Sequence, residues 1–190
     1  MEKSSKIILA ITGASGSIYA NRIIHYLEKF ANQYDSFSIV FSKNAKDVWK
    51  HELENNDFDS LNQKVYATND FYAPFASGSS DYNYMIICPA SMGSIGRIAN
   101  GISDDLISRS ADVMLKERKK LIIVARETPY NLIHLRNMTS LTEAGAIILP
   151  ATPSFYSKPK NIEELVDTVV IRTLQLIGIK TDTYKWGDNK

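Results

Sequence analysis

The sequence predicts an α/β fold, a doubly wound and mostly parallel sheet with helices on both faces. Three observations predict it. Short apolar runs and amphipathic stretches at helical spacing alternate at least five times along the chain. The first run is continuously apolar, as in a strand buried on both faces. Small-residue turns lead directly from strand to helix, and right-handed crossovers then lay the helices on both sides of the sheet.

The elements follow in order. Lys6 to Thr12 reads as the first strand, ending at Gly13. Beyond Gly16, Ile23, Ile24, Leu27, Phe30 and Ala31 fall at helical spacing. Ser38 to Phe41 reads as a second strand and Asn44 to Leu53 as a second helix. Residues 55 to 82 are polar and read as a long irregular stretch, of the kind that is functional or disordered in a compact domain. Tyr84 to Cys88 is the next strand, stopped by Pro89, and Ser91 to Asn100 a short helix closed by Gly101. Asp104 to Arg118 is a stronger helix, with Ile107, Ala111, Met114 and Leu115 on one face and basic residues at its end. Leu121 to Ala125 is a strand, Tyr130 to Ala144 a helix closed by Gly145, and Ala146 to Leu149 a strand. Asn161 caps a final helix, with Glu164 three residues on and an apolar face from Ile162 to Ile177.

One domain, residues 1–190, accounts for the length, and it can bury a core without disulfides or metals. A net charge of +1 gives no overall field toward nucleic acid or an acidic membrane surface. Cys88 is the single cysteine, so neither an internal disulfide nor a cysteine zinc site is available, and a reducing cytoplasm fits. The apolar runs are strand-sized, far short of the roughly 18 residues of a membrane span. The start of the chain lacks the features of a signal peptide.

Ligands of such sheets sit outside the carboxyl ends of the strands. That rule singles out Gly13-Ala14-Ser15-Gly16, Ser42-Lys43, Pro89-Ala90-Ser91-Met92 and Arg126-Glu127. In the first, two glycines allow a tight turn, and the following helix offers free N–H groups that suit a phosphate. A plain strand-to-helix turn reads equally well. The G-x-x-G spacing misses the dinucleotide fingerprint, and no Walker lysine follows, so a mononucleotide phosphate fits better than NAD or ATP. Ser42 suits a sugar or ribityl hydroxyl, or, taken alone, a helix N-cap. Ser91, Met92, Gly93 and Ser94 open a helix whose N–H groups suit a polar ring edge, although a methionine there is more often core. Arg126 suits a phosphate or carbonyl. Glu127, if partly desolvated, suits proton transfer near neutral pH, while the pair reads equally as a structural ion pair. Ala76-Ser77-Gly78-Ser79-Ser80 is either a phosphate-closing loop or a mobile linker. His25, His51 and His134 have no metal-ligand spacing, and Asp104-Asp105 is a lone acidic pair, which disfavours magnesium diphosphate chemistry.

Several strings together resemble one family. They are Thr12-Gly13-Ala14-Ser15-Gly16 with Tyr19, Ala76-Ser77-Gly78-Ser79, Cys88-Pro89-Ala90-Ser91-Met92, and the helix from Arg109 to Arg118. Arg126-Glu127-Thr128-Pro129, Ile133-His134-Leu135 with Asn137-Met138, and Pro153-Ser154-Phe155-Tyr156 complete the set, in constant order from about residue 6 to 187. The chain resembles the UbiX/phenolic-acid-decarboxylase-subunit family of flavin prenyltransferases, whose fold is Rossmann-like. The resemblance implies that reduced FMN is alkylated at N5 and C6 by dimethylallyl phosphate, without metal, and that the prenylated FMN serves a partner UbiD-type decarboxylase. Members have also been labelled carboxy-lyases.

Carried onto this chain, the resemblance implies that Gly13, Ala14, Ser15, Ser42, Ser91, Met92, Gly93, Ser94 and Arg126 contact FMN, with Ser15 near N5. Tyr156 and Arg172 bind the prenyl phosphate, with Lys116 and Arg109 as further candidates. Glu127 manages a proton, Glu52 is a second candidate acid, and Trp186 covers the prenyl group. A homo-oligomer, often a dodecamer, is implied, with sites at subunit contacts. Ala90, Gly93 and Phe71 depart from the common pattern, where many members carry Cys, Lys or Thr, and Trp. Two other readings stand beside this one: an FMN-dependent decarboxylase of the related cysteine-type flavoproteins, and a non-enzymatic flavin-binding accessory protein.

Overall fold

The computed structural model describes residues 5–181. Six strands form one sheet: β1 (Lys6–Ile11), β2 (Ser36–Phe41), β3 (Lys64–Tyr66), β4 (Tyr82–Ala90), β5 (Lys120–Ala125) and β6 (Ile147–Pro150). Their order is β3-β2-β1-β4-β5-β6, and every pairing is parallel. The helices are α1 (Ser17–Lys29), α2 (Ala45–Leu53), α3 (Met92–Ala99), α4 (Leu106–Lys116), α5 (Leu132–Glu143) and α6 (Ile162–Leu176). The chain winds outward from β1 to β3, crosses back to β4 beside β1, and winds outward again. β1 and β4 therefore flank the topological switch point, where an open parallel sheet opens a crevice.

Alternation along the central strands divides the core. Ile7, Leu9 and Ile11 pack with α1, α2 and α6, while Ile8 and Ala10 pack with α3 and α4. Both faces of β1 are closed to solvent, so each isoleucine or leucine there contributes about 1.5–3 kcal/mol of burial. Cys88 on β4 faces the α1 and α6 side and is 1% exposed.

Three sequence expectations need correction. β4 does not stop at Cys88 but runs through Pro89 to Ala90. Proline lacks only the N–H, and the ladder to β5 accommodates it by a register shift between Ile87 and Ala90. Residues 55 to 82 are not simply irregular: they contain β3 and two short 3-10 turns, at Asp57–Asp59 and Pro74–Ala76. Aromatic side chains anchor them, Phe58 against Phe41 and Trp49, and Phe75 against Tyr66 and Tyr82. α2 is preceded by Asn44, not capped by Ser42, whose amide instead continues the sheet by donating to the Ile11 carbonyl at 2.8 Å.

Local chemistry sets the other helix starts. Asp105 caps α4 in a box with Ser108, and Arg97 lies 3.6 Å from Asp104, so the acidic pair has a structural role. Asn131 caps α5 in a box with His134. Asn161 accepts from the Glu164 amide at 2.8 Å, but the Glu164 carboxylate reaches the Lys160 amide at 2.7 Å, one residue short of a reciprocal box.

Candidate functional site

Because every strand runs the same way, the four singled-out turns emerge at one edge of the sheet. Thr12 ties the two central ones together. Its hydroxyl donates to the Pro89 carbonyl at 2.6 Å and accepts from the Ser91 amide at 2.9 Å. The residue is 2% exposed, so these bonds work at low dielectric and fix the gap between the β1 and β4 turns. In the sequence Thr12 stood out only as the end of a strand and the start of the Thr12-Gly13-Ala14-Ser15-Gly16 string, although a hydroxyl ending an apolar strand was a signal for this tie.

Gly16 holds the β1 turn open with φ of 113°, and a Cβ there would come within 3.0 Å of the Tyr19 ring. A Cβ at Gly13 would come within 3.1 Å of the Asn44 side chain. Two of the N–H groups expected free at the start of α1 are already taken. Glu52, brought across by α2, accepts from the Gly16 amide at 3.0 and 2.9 Å and from the Ser17 amide at 2.7 Å. Burial works to raise the Glu52 pKa, but hydrogen bonds from the Ser15 hydroxyl and the Ser17 and Gly16 amides outweigh it and hold the carboxyl below its usual range. The chain's own carboxylate thus fills this anion seat, leaving a ligand the amides of the neighbouring turns.

At the β4 turn Ser91 caps α3, accepting from the Ser94 amide at 3.3 Å. The Ser91 and Ser94 hydroxyls lie 3.1 Å apart. Met92 is buried in the core, so a ligand can meet it only through its backbone N–H. Gly93 is exposed, and a Cβ there would touch nothing within 4 Å. The amides of the first turn of α3 have no partner within the helix by position.

At the β5 turn the Arg126 amide donates to the Ala90 carbonyl at 3.2 Å. Its exposed side chain lies close enough to Tyr19 to oppose the rise that burial imposes on that phenol. Glu127 is half-buried and accepts from the Thr128 amide at 3.0 Å. No ion pair joins Arg126 to Glu127 among the described residues, so the structural-pair alternative is not what forms.

Beyond β6 a cavity of about 540 Å³ opens between α1, α6 and the 152–157 segment. Tyr26, Thr152, Ser154, Asp167, Thr168 and Arg172 are among its lining residues. Tyr156 stands in the same segment, between the lining residues Ser154 and Ser157, and is 68% exposed. Arg172 and the Tyr156 segment therefore meet, as the sequence suggested. Arg109 and Lys116 do not join them within one chain. Both lie on α4, which packs on the opposite face of the sheet. Arg109 donates to the Ala76 carbonyl at 3.0 Å and pairs with Asp112 at 2.9 Å, and Lys116 pairs with its neighbour Glu117. Arg109 and Lys119, which reaches the Ser80 carbonyl at 2.7 Å, hold the 76–80 segment against α4. Trp186 lies outside the described residues.

Comparison with known proteins agrees with this fold. A family model described as Flavoprotein matches residues 1–174. A flavin prenyltransferase UbiX from Methanocaldococcus jannaschii is 43% identical over 185 residues, covering 96% of this chain and 98% of its own. The crystal structure of AnUbiX (PadA1) in complex with FMN and dimethylallyl pyrophosphate is 39% identical, with a TM-score of 0.86 over 96% of this chain and all of that one. A dodecameric FMN-dependent UbiX-like decarboxylase from Escherichia coli O157:H7 is 33% identical, with a TM-score of 0.88 over 95% of this chain and 98% of its own.

Proposed function

The chain belongs to the UbiX flavin prenyltransferases of the flavoprotein family, and from that premise we propose that it transfers a dimethylallyl group from dimethylallyl phosphate to N5 and C6 of reduced FMN. The observation that carries the reading is the junction of the β1 and β4 turns at the switch point, locked by Thr12, together with the cavity past β6 that Arg172 lines. Reduced FMN, when bound, supplies the nucleophilic ring. The donors available suit it. Amides of Gly13, Ala14, Met92 and Gly93 would hold a flat polar ligand, with Ser42 and Arg126 at the flanking strand ends and the Ser15 and Ser94 hydroxyls beside them.

Each remaining role falls to a residue of this chain. Arg172 and Tyr156 bind the phosphate and stabilise the charge that grows on it as it leaves. Holding the allylic carbon against the cradle supplies proximity. Glu127, half-buried at the β5 end, is assigned the proton transfer, and Glu52 keeps Ser15 and the β1 turn in place. Arg109 and Lys116 lie on the far face, so their assignment to the phosphate requires a second copy to present its α4. A homo-oligomer, with the dodecamer of the Escherichia coli relative as its pattern, is part of the proposal. So is a UbiD-type decarboxylase that receives the product. No helix of the described residues is long and apolar enough to cross a membrane, and a cytoplasmic location accompanies the reading.

Anaerobic incubation with FMN, dithionite and dimethylallyl phosphate, followed by mass analysis of the released flavin, tests this. FMN plus one prenyl unit is the expected mass. Unchanged FMN from a protein that binds it would overturn the reading in favour of a decarboxylase or an accessory protein. Glu127→Gln is expected to keep FMN binding and lose turnover by about 10²-fold or more.

A further inference from the structure

The wall of the α6 cavity carries a buried acid. Asp167 is 8% exposed and lines the same cavity as Arg172. An uncompensated carboxylate there would repel a phosphate and compete with it for the arginine. The chain meets that problem from behind the wall. Arg22, on α1, is not part of the lining, yet its guanidinium forks onto Asp167. Nε donates to Oδ1 at 2.7 Å and Nη2 to Oδ2 at 2.6 Å. Both carboxylate oxygens are engaged, the strongest geometry for such a pair.

Tyr26 completes the arrangement. Its hydroxyl donates to Asp167 Oδ2 at 2.7 Å, and its ring lies 5.2 Å from the Arg22 guanidinium carbon. Burial and then the Asp167 hydrogen bond push the Tyr26 phenol upward, so it stays a donor. The Arg22 and Asp167 side chains are 23% and 11% exposed, which limits screening by salt. The other acid of the lining, Glu164, turns to the Lys160 amide at 2.7 Å. Arg172 reaches the neutral Gln175 side-chain oxygen at 3.5 Å.

We infer that Arg22 and Asp167 are a positioning pair for an anionic ligand. Arg22 cancels Asp167 from outside the ligand's space, fixes the Tyr26 wall, and leaves Arg172 to meet the phosphate. The pair touches no reacting atom. Its role rests on reading the Arg172 cavity as the prenyl-phosphate site, and the test separates the two.

Four variants, R22M, R22K, D167N and R22M/D167N, are compared with wild type in the full chain loaded with FMN. KM and kcat for dimethylallyl monophosphate are measured under reducing conditions. Its Kd is measured by calorimetry on the oxidised FMN complex, in which transfer does not proceed. R22M is expected to raise KM and Kd roughly tenfold with kcat and FMN affinity little changed, because a buried like charge faces the phosphate. R22K falls between R22M and wild type. D167N lowers both constants, and the double variant returns to within about threefold of wild type, since the two changes share one interaction. A purely structural pair cannot produce tighter binding in D167N.

Wild-type constants in R22M, weaker binding in D167N, or a double variant no better than R22M would each overturn the inference. If R22M fails to bind FMN, R22K and D167N decide by the same signs. A wild type that binds FMN and forms no prenylated product overturns the functional reading instead, and the calorimetric Kd series still judges the pair.

Discussion

At the ends of β1 and β4 the molecule offers a ligand mostly backbone, held by a hydroxyl that solvent barely reaches. At the α6 cavity it offers side chains. Thr12 is 2% exposed, whereas Tyr156 is 68% exposed and Arg172 is open to solvent. The first region is set by the sheet itself, so substitutions on its surface change little: Gly93 is exposed and has empty space around it. The second depends on single charges, one of which, Arg22, stands outside the cavity. A parallel sheet can thus hold a shared ligand rigidly at its switch point while a neighbouring cavity is tuned charge by charge.

The largest effect that would sharpen this contrast is expected from Arg172→Met. Losing a charged hydrogen-bonding partner of a phosphate costs about 1.5–3 kcal/mol, which should appear as roughly a ten- to hundredfold fall in kcat/KM for dimethylallyl phosphate. FMN affinity should hold, and a parallel loss of it would erase the distinction between the two regions. Thr12→Val should do the reverse. It keeps the shape, strands the part-buried Ser91 amide, and is expected to cost about 1–3 kcal/mol of stability in urea unfolding. FMN affinity should fall with it.

A smaller effect comes from Glu52. Its folded pKa lies below the unfolded value of 4.5, so its contribution to stability is present above about pH 4.5 and is lost as pH falls through the lower folded value. The stability gap between wild type and Glu52→Gln should therefore narrow on acidification below about pH 4.5, as read by urea midpoints between pH 3 and 7. A gap that widens toward acid would mean that burial, not hydrogen bonding, governs the group. The smallest effect belongs to Gly93→Thr, expected within about 0.5 kcal/mol of wild-type stability. A large loss there would show that the β4 turn depends on its glycine after all.

The alternation of strand and helix was legible because continuous apolar runs such as Ile7 to Ile11 are strand-length, end at a glycine turn and suit a sheet covered on both faces. The turns that follow them were legible as ligand-facing for the same reason. β3 was not, because Lys-Val-Tyr is three residues long and is held by pairing to β2 rather than by its own pattern. The continuation of β4 was hidden by Pro89, which reads as a stop until the register shift is seen. The blocking of the α1 terminus by Glu52 depends on how α2 packs, which spacing alone does not reveal. The Arg22–Asp167 pair joins positions 145 residues apart. Its one local trace is an aspartate set among Val166, Val169 and Val170 on the buried face of α6.

Cys88 turns the central strand into its own reporter. It is the chain's sole thiol, it adjoins the β4 turn, and burial pushes its ionisation far above the ordinary range for cysteine. A thiol-specific reagent can label it only when β4 opens, so the labelling rate measures how often the middle of the sheet comes apart. Flavin that grips the adjoining turn should slow that rate in proportion to its occupancy.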